Sequence, residues 1–381
     1  AAQGGGLDPV LDDGLLEVDL APWSGLLGTE VRERFPHEHR LWHHHPEQLQ
    51  LQRSDGSSYA PIPELMEQAA AFLERLLSRH NPADANDQTV LVVAHNAILR
   101  CLVLSLLGLP ASGFRRLRLD NASLSVFNLT TAAGGGIAVQ IESLNGTSHL
   151  HPELCGSTLP AKGPGPRLLL VRHGETDWNR QGRFQGQIDI PLNAHGHSQA
   201  AAAGAFLRRV PLDRAYTSSM ARPRQTAEGI LQHHPGVPLT SVSDLVEIGH
   251  GEWEGRLEEE IADQWSALLA DWKRAPETVQ MPGGETIHDV WDRSLLGWNR
   301  IAAGLANEET ALVVAHDAVN KTILCALLGL SPADIWAVKQ GNGGVTVIDY
   351  PHGAAEPPVV VCLNQTAHLG GVLDRTAAGA L

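Results

Sequence analysis

Leu168-Leu169-Leu170-Val171-Arg172-His173-Gly174-Glu175-Thr176 decides the fold. Its apolar run is continuous, too short for a helix, and bounded by Pro166 and Gly174, which predicts a short strand buried on both faces. Residues just past the carboxyl end of such a strand lie where open α/β sheets bind ligands. Arg172 can there grip an oxyanion through two parallel hydrogen bonds. His173 beside it titrates near neutral pH and can act as a nucleophile. A lone strand-end histidine is usually structural, so the reading of His173 depends on the rest of the chain.

Outward from this stretch, strand and helix patterns alternate. An Ala-rich helix is expected from about Ser198 to Arg209, and a short strand near 215–217 precedes a helix from about Arg222. Helices follow at about 258–272 and 287–306. The strand 311–315 leads into a helix over 318–328, and 344–349 is a late strand. The alternation predicts an α/β fold of three α/β/α layers around a mostly parallel sheet. Two strands end in histidine, His173 and His316. If both are parallel and central, both imidazoles emerge on one sheet edge.

The chain also contains itself twice. Trp23-Ser24-Gly25 recurs as Trp253-Glu254-Gly255, and Leu15-Leu16-Glu17-Val18 as Leu245-Val246-Glu247-Ile248, 230 residues on. Val92-Val93-Ala94-His95 recurs as Val313-Val314-Ala315-His316, and Leu106-Leu107-Gly108-Leu109 as Leu327-Leu328-Gly329-Leu330, 221 residues on. Leu144-Asn145 recurs as Leu363-Asn364. Such a period is too long for a solenoid and fits a duplicated globular domain. The expected organisation is a first copy over 1–152, a Gly/Pro-rich linker over 153–166 and a second copy over 167–381. Nothing in the first copy matches 167 to about 230, so its opening strand is absent or lies outside this sequence. The chain begins Ala1-Ala2-Gln3 without Met and is expected to be truncated or processed.

Composition bounds the function classes. Of 381 residues, 43% are hydrophobic and 19% charged, as in soluble globular proteins. The net charge of −15 argues against a nucleic-acid or anionic-membrane partner, so an anion site must be built locally. Cys101, Cys155, Cys325 and Cys362 lack CxxC spacing and read as free thiols of a reducing compartment, with no metal site implied. No run approaches the ~18 apolar residues of a membrane span, and no signal peptide is visible. A cytoplasmic location is expected, and a homodimer stays open.

Phosphoryl chemistry needs a nucleophile, cationic clamps on the nonbridging oxygens, and a proton donor for the leaving oxygen. Arg172 and Arg222 are candidate clamps, and Glu247, beside the Gly-rich turn 249–255, is a candidate acid. The ordered motifs are Arg172-His173-Gly174-Glu175-Thr176, Trp178-Asn179, Arg183-Phe184-Gln185-Gly186, Thr217-Ser218, Arg222, Gln225-Thr226-Ala227, Glu247, Gly283-Gly284-Glu285 and Val314-Ala315-His316. Together they closely resemble the histidine phosphatase superfamily, which also holds the cofactor-dependent phosphoglycerate mutases. The resemblance covers about 167–381. It implies a phosphoglycerate mutase-like fold, a small phosphorylated metabolite as substrate, and no cofactor or metal. It implies that His173 carries the phosphoryl group and that Arg172, Arg222, Asn179 and His316 hold it. It places Gln185 and Gly186 at the phosphate, and makes Glu247 the proton donor and later the base for water. The duplicated layout resembles the two-domain histidine phosphatases of cyanobacteria and plants, some of them 2-carboxyarabinitol-1-phosphate phosphatases. In a plant the location would be the chloroplast stroma.

The first copy departs from this pattern. It keeps Glu17 and His95 but has no Arg-His-Gly and no counterpart of Arg222, and Tyr59-Ala60-Pro61 stands where Gly283-Gly284-Glu285 stands in the second. It is expected to be inactive, its apolar runs Val90–Ala94 and Ile98–Leu107 remaining packed. His37, His39 and His43-His44-His45 read as exposed histidines in a polar segment between helices. Gly134-Gly135-Gly136 reads as a hairpin loop. A phosphomonoester phosphatase is the leading reading. A phosphoglycerate mutase would need a long insertion after Glu247, which the chain lacks, and a non-catalytic scaffold suits only the first copy.

Overall fold

The computed structural model describes residues 8–84, 87–132, 135–150, 159–371 and 373–377. The first part of the expected linker, with Cys155, lies outside them. By spatial contacts the chain divides into two compact units, Ala1–Arg115 and Arg116–Leu381.

The first unit contains α1 (Gly28–Arg34), α2 (Pro36–His44), a two-stranded ribbon of β1 (Leu51–Gln52) and β2 (Ser58–Tyr59), α3 (Pro61–Arg79) and α4 (Asn96–Leu106). Trp23, Val31, Leu49, Leu51 and Tyr59 form one of its cores. His37, His39, His43 and His44 lie on α2 itself rather than between helices. Pro36 at its first position starts that helix, because proline pre-sets a helical φ where no N–H is needed. The apolar run Val90–Ala94 is not a strand, and Val90, Leu91 and Val93 are exposed. Its counterpart Ala311–Ala315 is fully buried between two strands. An apolar strand is stable only with neighbours that take up its backbone groups and cover its faces. Among the described residues Val90–Ala94 pairs with none, so the expected packing is absent there, whereas Ile98 and Cys101–Leu104 are buried in α4.

The second unit is built on an eight-stranded sheet. Its elements in chain order are β3 (Leu124–Thr131), β4 (Ile137–Gly146), β5 (Arg167–Arg172), α5 (Asp177–Gln181), α6 (Ala194–Leu207), β6 (Arg214–Thr217), α7 (Ala221–Leu231), β7 (Leu239–Ser241), α8 (Glu258–Arg274), α9 (Ile287–Ala303), β8 (Thr310–Ala315), α10 (Asp317–Leu328), β9 (Val345–Asp349) and β10 (Val359–Gln365). The spatial order is β3-β4-β10-β9-β5-β8-β6-β7. β5, β8, β6 and β7 are parallel, and the pairings from β5 through β9, β10 and β4 to β3 are antiparallel. The mostly parallel sheet expected from sequence therefore holds for the half that ends in the two histidines. The late antiparallel strands break the βαβ rhythm because they are joined by turns rather than crossover helices. β5 is buried on both faces: Leu169 and Val171 join a core with Phe206, Leu207, Ala227 and Ile230 of α6 and α7, while Leu168 and Leu170 are equally buried on the other side.

The hairpin β3–β4, read from sequence as the tail of the first copy, belongs to this sheet. Leu144 of β4 faces Leu363 of β10, its own counterpart in the repeat. Asn145 and Asn364, also counterparts, both adopt positive φ (55° and 49°). Asn145 donates to Val361 O at 2.7 Å and Asn364 donates to Glu142 O at 2.8 Å. Within this unit the two repeat-related strands thus pair antiparallel, counterpart facing counterpart. The open edge of β10 takes up the backbone groups of β4, which would otherwise be unpaired on that side.

Candidate active site

The in-register parallel pairing of β5 with β8 brings both strand ends to one place, Val171 opposite Val314 and Arg172 opposite Ala315. The His173 N–H continues the ladder by donating to Ala315 O at 3.0 Å. The rings of His173 and His316 stand edge to face with centroids 5.2 Å apart. His173 Nδ1 lies 2.7 Å from Gly174 O. A carbonyl can only accept, so Nδ1 carries the proton and Nε2 keeps its lone pair. Arg222 Nε donates to that Nε2 at 3.3 Å. Burial first, then Arg222 and Arg172, holds the His173 pKa well below 6.5. The side chain at this position is therefore a neutral, oriented imidazole.

Arg222 is fully buried on α7, aimed by its bonds to Ile188 O (3.1 Å) and Gly186 O (2.8 Å). Burial lowers its pKa to about 10, so it remains a cation at neutral pH. Arg172 donates through one terminal nitrogen to Gln340 O, and its buried Nε has no partner. Asn179 belongs to the capping box that starts α5: Thr176 donates to its Oδ1 and its own N–H donates to Thr176 Oγ1, each at 3.1 Å. That commitment fixes the carbonyl and leaves the amide nitrogen as the group suited to an anion. Gln185 keeps a buried, unpartnered Oε1, and Gly186 adopts φ 55° with Glu254 packed where a Cβ would sit.

Glu247 is buried opposite. Its Oε1 accepts from Ile248 N and its Oε2 from Asp317 N, each at 3.0 Å. Burial raises its pKa, Asp317 adds to the rise, and Arg222 opposes it. The turn that follows is clasped to the loop around Gly283-Gly284-Glu285. Glu285 N donates to Gly249 O at 2.7 Å, and Glu285 Oε2 accepts from Gly249 N at 2.7 Å. Arg293 brackets Glu285 and donates to Glu247 O at 3.0 Å.

One cavity is lined by Arg172, His173, Asn179, Gln185, Gly186, Arg222 and Glu247, so the structure brings together every expected site residue except His316. His316 sits behind the cavity wall, its Nε2 2.9 Å from Ser218 Oγ and its Nδ1 unpartnered. Arg183, His250 and Asp317 also line the cavity and carried no assigned role in the sequence reading. His250 could have been found between its two glycines, at the turn beside Glu247. Burial pushes its pKa down to about 3, so it is a neutral wall, with its ring against Phe184 at 5.2 Å. Asp317 was legible only as the neighbour of His316. Among the described residues no group of three or more His, Cys, Asp or Glu is arranged to hold a metal ion, and no helix is long and apolar enough to cross a membrane.

In the first unit one part of this arrangement recurs. Glu17 accepts from Ala97 N and Ile98 N at 3.2 Å at the start of α4, as Glu247 does at α10. His95 is exposed, and Tyr59 OH, donating to Asp19 O at 3.1 Å, closes the turn that Glu285 closes in the second copy.

The chain is 36% identical over 210 residues to wheat 2-carboxy-D-arabinitol-1-phosphatase, a match covering 54% of this chain and 41% of the wheat protein. It is 32% identical over 204 residues to phosphoserine phosphatase 1 of Hydrogenobacter thermophilus, covering 54% of this chain and 94% of that one. The solved structure of Bacillus stearothermophilus YhfR superposes with a TM-score of 0.51 at 31% identity, covering 54% of this chain and 99% of YhfR. The match thus spans about two-fifths of the wheat protein's length and nearly all of the two bacterial ones. The profile of the histidine phosphatase superfamily (branch 1) matches residues 1–140 and again 168–365, so both repeats are covered and the chain belongs to that superfamily.

Proposed function

We propose that the second unit is a phosphomonoester phosphatase working through a phosphohistidine, on a small phosphorylated metabolite of the kind its relatives' names record. The observation that carries this is the committed tautomer of His173: Nδ1–H is held by Gly174 O, so Nε2 keeps its lone pair, beside Arg222, in a residue that lines the cavity with Arg172. In the first step Nε2 attacks phosphorus and the P–O ester bond breaks. Glu247 hands its proton to the leaving oxygen. In the second step the Glu247 carboxylate takes a proton from water, the hydroxide attacks phosphorus, and the N–P bond breaks to release inorganic phosphate. Arg172, Arg222 and the Asn179 amide offset the charge of the transferred group, with His316 behind His173.

Hydrolysis is favoured over phosphoglycerate mutation because Glu247 runs straight into the tight turn 248–255, with no inserted segment there to exclude water. Rapid-quench labelling with a phosphorylated monoester should give an acid-labile adduct on His173. His173→Ala should fall below about a hundredth of the wild-type rate, as loss of a covalent nucleophile demands. With 3-phosphoglycerate and 2,3-bisphosphoglycerate together, phosphate should appear faster than 2-phosphoglycerate. An active His173→Ala variant overturns the mechanism, and efficient isomerisation with little phosphate release overturns the choice of phosphatase.

A further inference from the structure

Asp317 follows His316 at the start of α10 and is almost fully buried. Its neighbours are few and specific. Its N–H donates to Glu247 Oε2 at 3.0 Å. Its Oδ2 accepts from Lys321 Nζ at 3.0 Å, one helical turn on, and that ammonium also stands over the Trp336 ring at 4.9 Å. Its Oδ1 lies 3.6 Å from Arg172 and has no hydrogen-bond donor, although it is buried and lines the cavity. A second carboxylate beside Glu247, in a site that must already bind a dianion, adds negative charge where a phosphate is to enter. Such a residue needs a reason, and the first copy carries Asn96 at the equivalent position.

We infer that Asp317 is a positioning residue for the proton: it fixes Glu247 through its backbone N–H and, by its carboxylate charge, keeps Glu247 in the protonated form that the leaving oxygen requires. The inference rests on Glu247 being the proton donor. The charged groups facing the Glu247 carboxyl are Arg172 at the end of β5, Arg222 on α7 and Asp317 at the start of α10; His173 and His250 line the same cavity, and the Arg293–Glu285 ion pair stands at the backbone of its turn. At the carboxyl itself the anion is Asp317, while Glu285 is paired with Arg293 at the backbone. Arg222 and Arg172 favour the carboxylate form of Glu247, and Asp317 opposes them. Like charges in one site push a carboxyl pKa up, in line with the direction found for Glu247. The same carboxylate lies 3.6 Å from a terminal nitrogen of Arg172, whose buried Nε has no partner.

The test is the pH dependence of kcat/KM for an alkyl phosphomonoester and for p-nitrophenyl phosphate, whose leaving group needs no proton. In Asp317→Asn the basic limb for the alkyl ester should move down by about one pH unit, the scale of one nearby charge. The limb for p-nitrophenyl phosphate should stay in place. The double variant Asp317→Asn/Lys321→Met removes both charges and leaves no orphaned lysine, so it guards against simple misfolding and should show the same shift. A wild-type limb in the double variant would trace the effect to the unpaired lysine and overturn the inference, as would an unshifted limb in both variants. Glu247→Gln separates the two levels. If it loses alkyl-ester activity while Asp317→Asn leaves the limb in place, only the role of Asp317 fails. If Glu247→Gln keeps that activity, the proton-donor assignment fails and takes this inference with it.

Discussion

The proposed role of His173 as nucleophile rests on its arrangement rather than on its residue type. An exposed histidine near pH 6.5 would be partly protonated and its neutral form split between two tautomers. Here one bond to Gly174 O selects the tautomer, and burial beside two arginines makes protonation costly. The sign follows directly: a lowered imidazole pKa keeps Nε2 free at more acidic pH. The acid limb of kcat/KM, corrected for the substrate's own second ionisation near pH 6, should therefore lie below 6.5. An acid limb at or above 6.5 that disappears only with changes at His173 would contradict the buried, neutral imidazole.

At the scale of elements, the site is held by turns whose backbone permits no side chain. Gly251 adopts φ 57°, and a Cβ there would come within 2.1 Å of Pro282 O and 2.5 Å of Gly284 N. Both are backbone atoms of the loop clasped to the Glu247 turn, so neither can swing aside. Gly251→Ala should cost about 2 kcal/mol or more through strain and forced separation of the two loops, read as a lower denaturation midpoint. It should also slow turnover, because the clasp sets where Glu247 stands. A variant with an unchanged midpoint would mean that the loops can part freely. Gly283, in the same loop, also has positive φ (68°) but open space around it, so the close approach, and not the glycine content of the loop, makes Gly251 critical.

At the scale of the whole molecule, duplication has been used unequally. The second copy carries the assembled cavity. The first keeps the Glu17 contact with α4 and an exposed His95, and lends its β3–β4 hairpin to the second sheet. We expect His95→Ala to leave the rate within about twofold of wild type. His316→Ala removes the ring that packs against His173 and should lower the rate by roughly a hundredfold, the scale of misplacing a reacting group by about 1 Å. Equal losses in both would show that the first copy takes part in an active site.

What the chain determines by itself is local and periodic. The apolar runs 168–171 and 311–315 mark candidate strands, with Arg172 and His173 at the end of one and His316 at the end of the other. These follow because continuous apolar runs, turn residues and helical periodicity act within a few residues. The tertiary structure alone decided the rest. Whether Val90–Ala94 became a strand depended on neighbours, not on its own pattern, which equals that of the buried Ala311–Ala315. The antiparallel half of the sheet extends beyond β10 because that edge pairs with a hairpin more than 200 residues away. Glu247 is held by the backbone N–H of Asp317, 70 residues on, and Arg222 is aimed by carbonyls of a third loop. Burial, strand pairing and charge act through space, so residues that no local pattern connects come to set one another's chemistry.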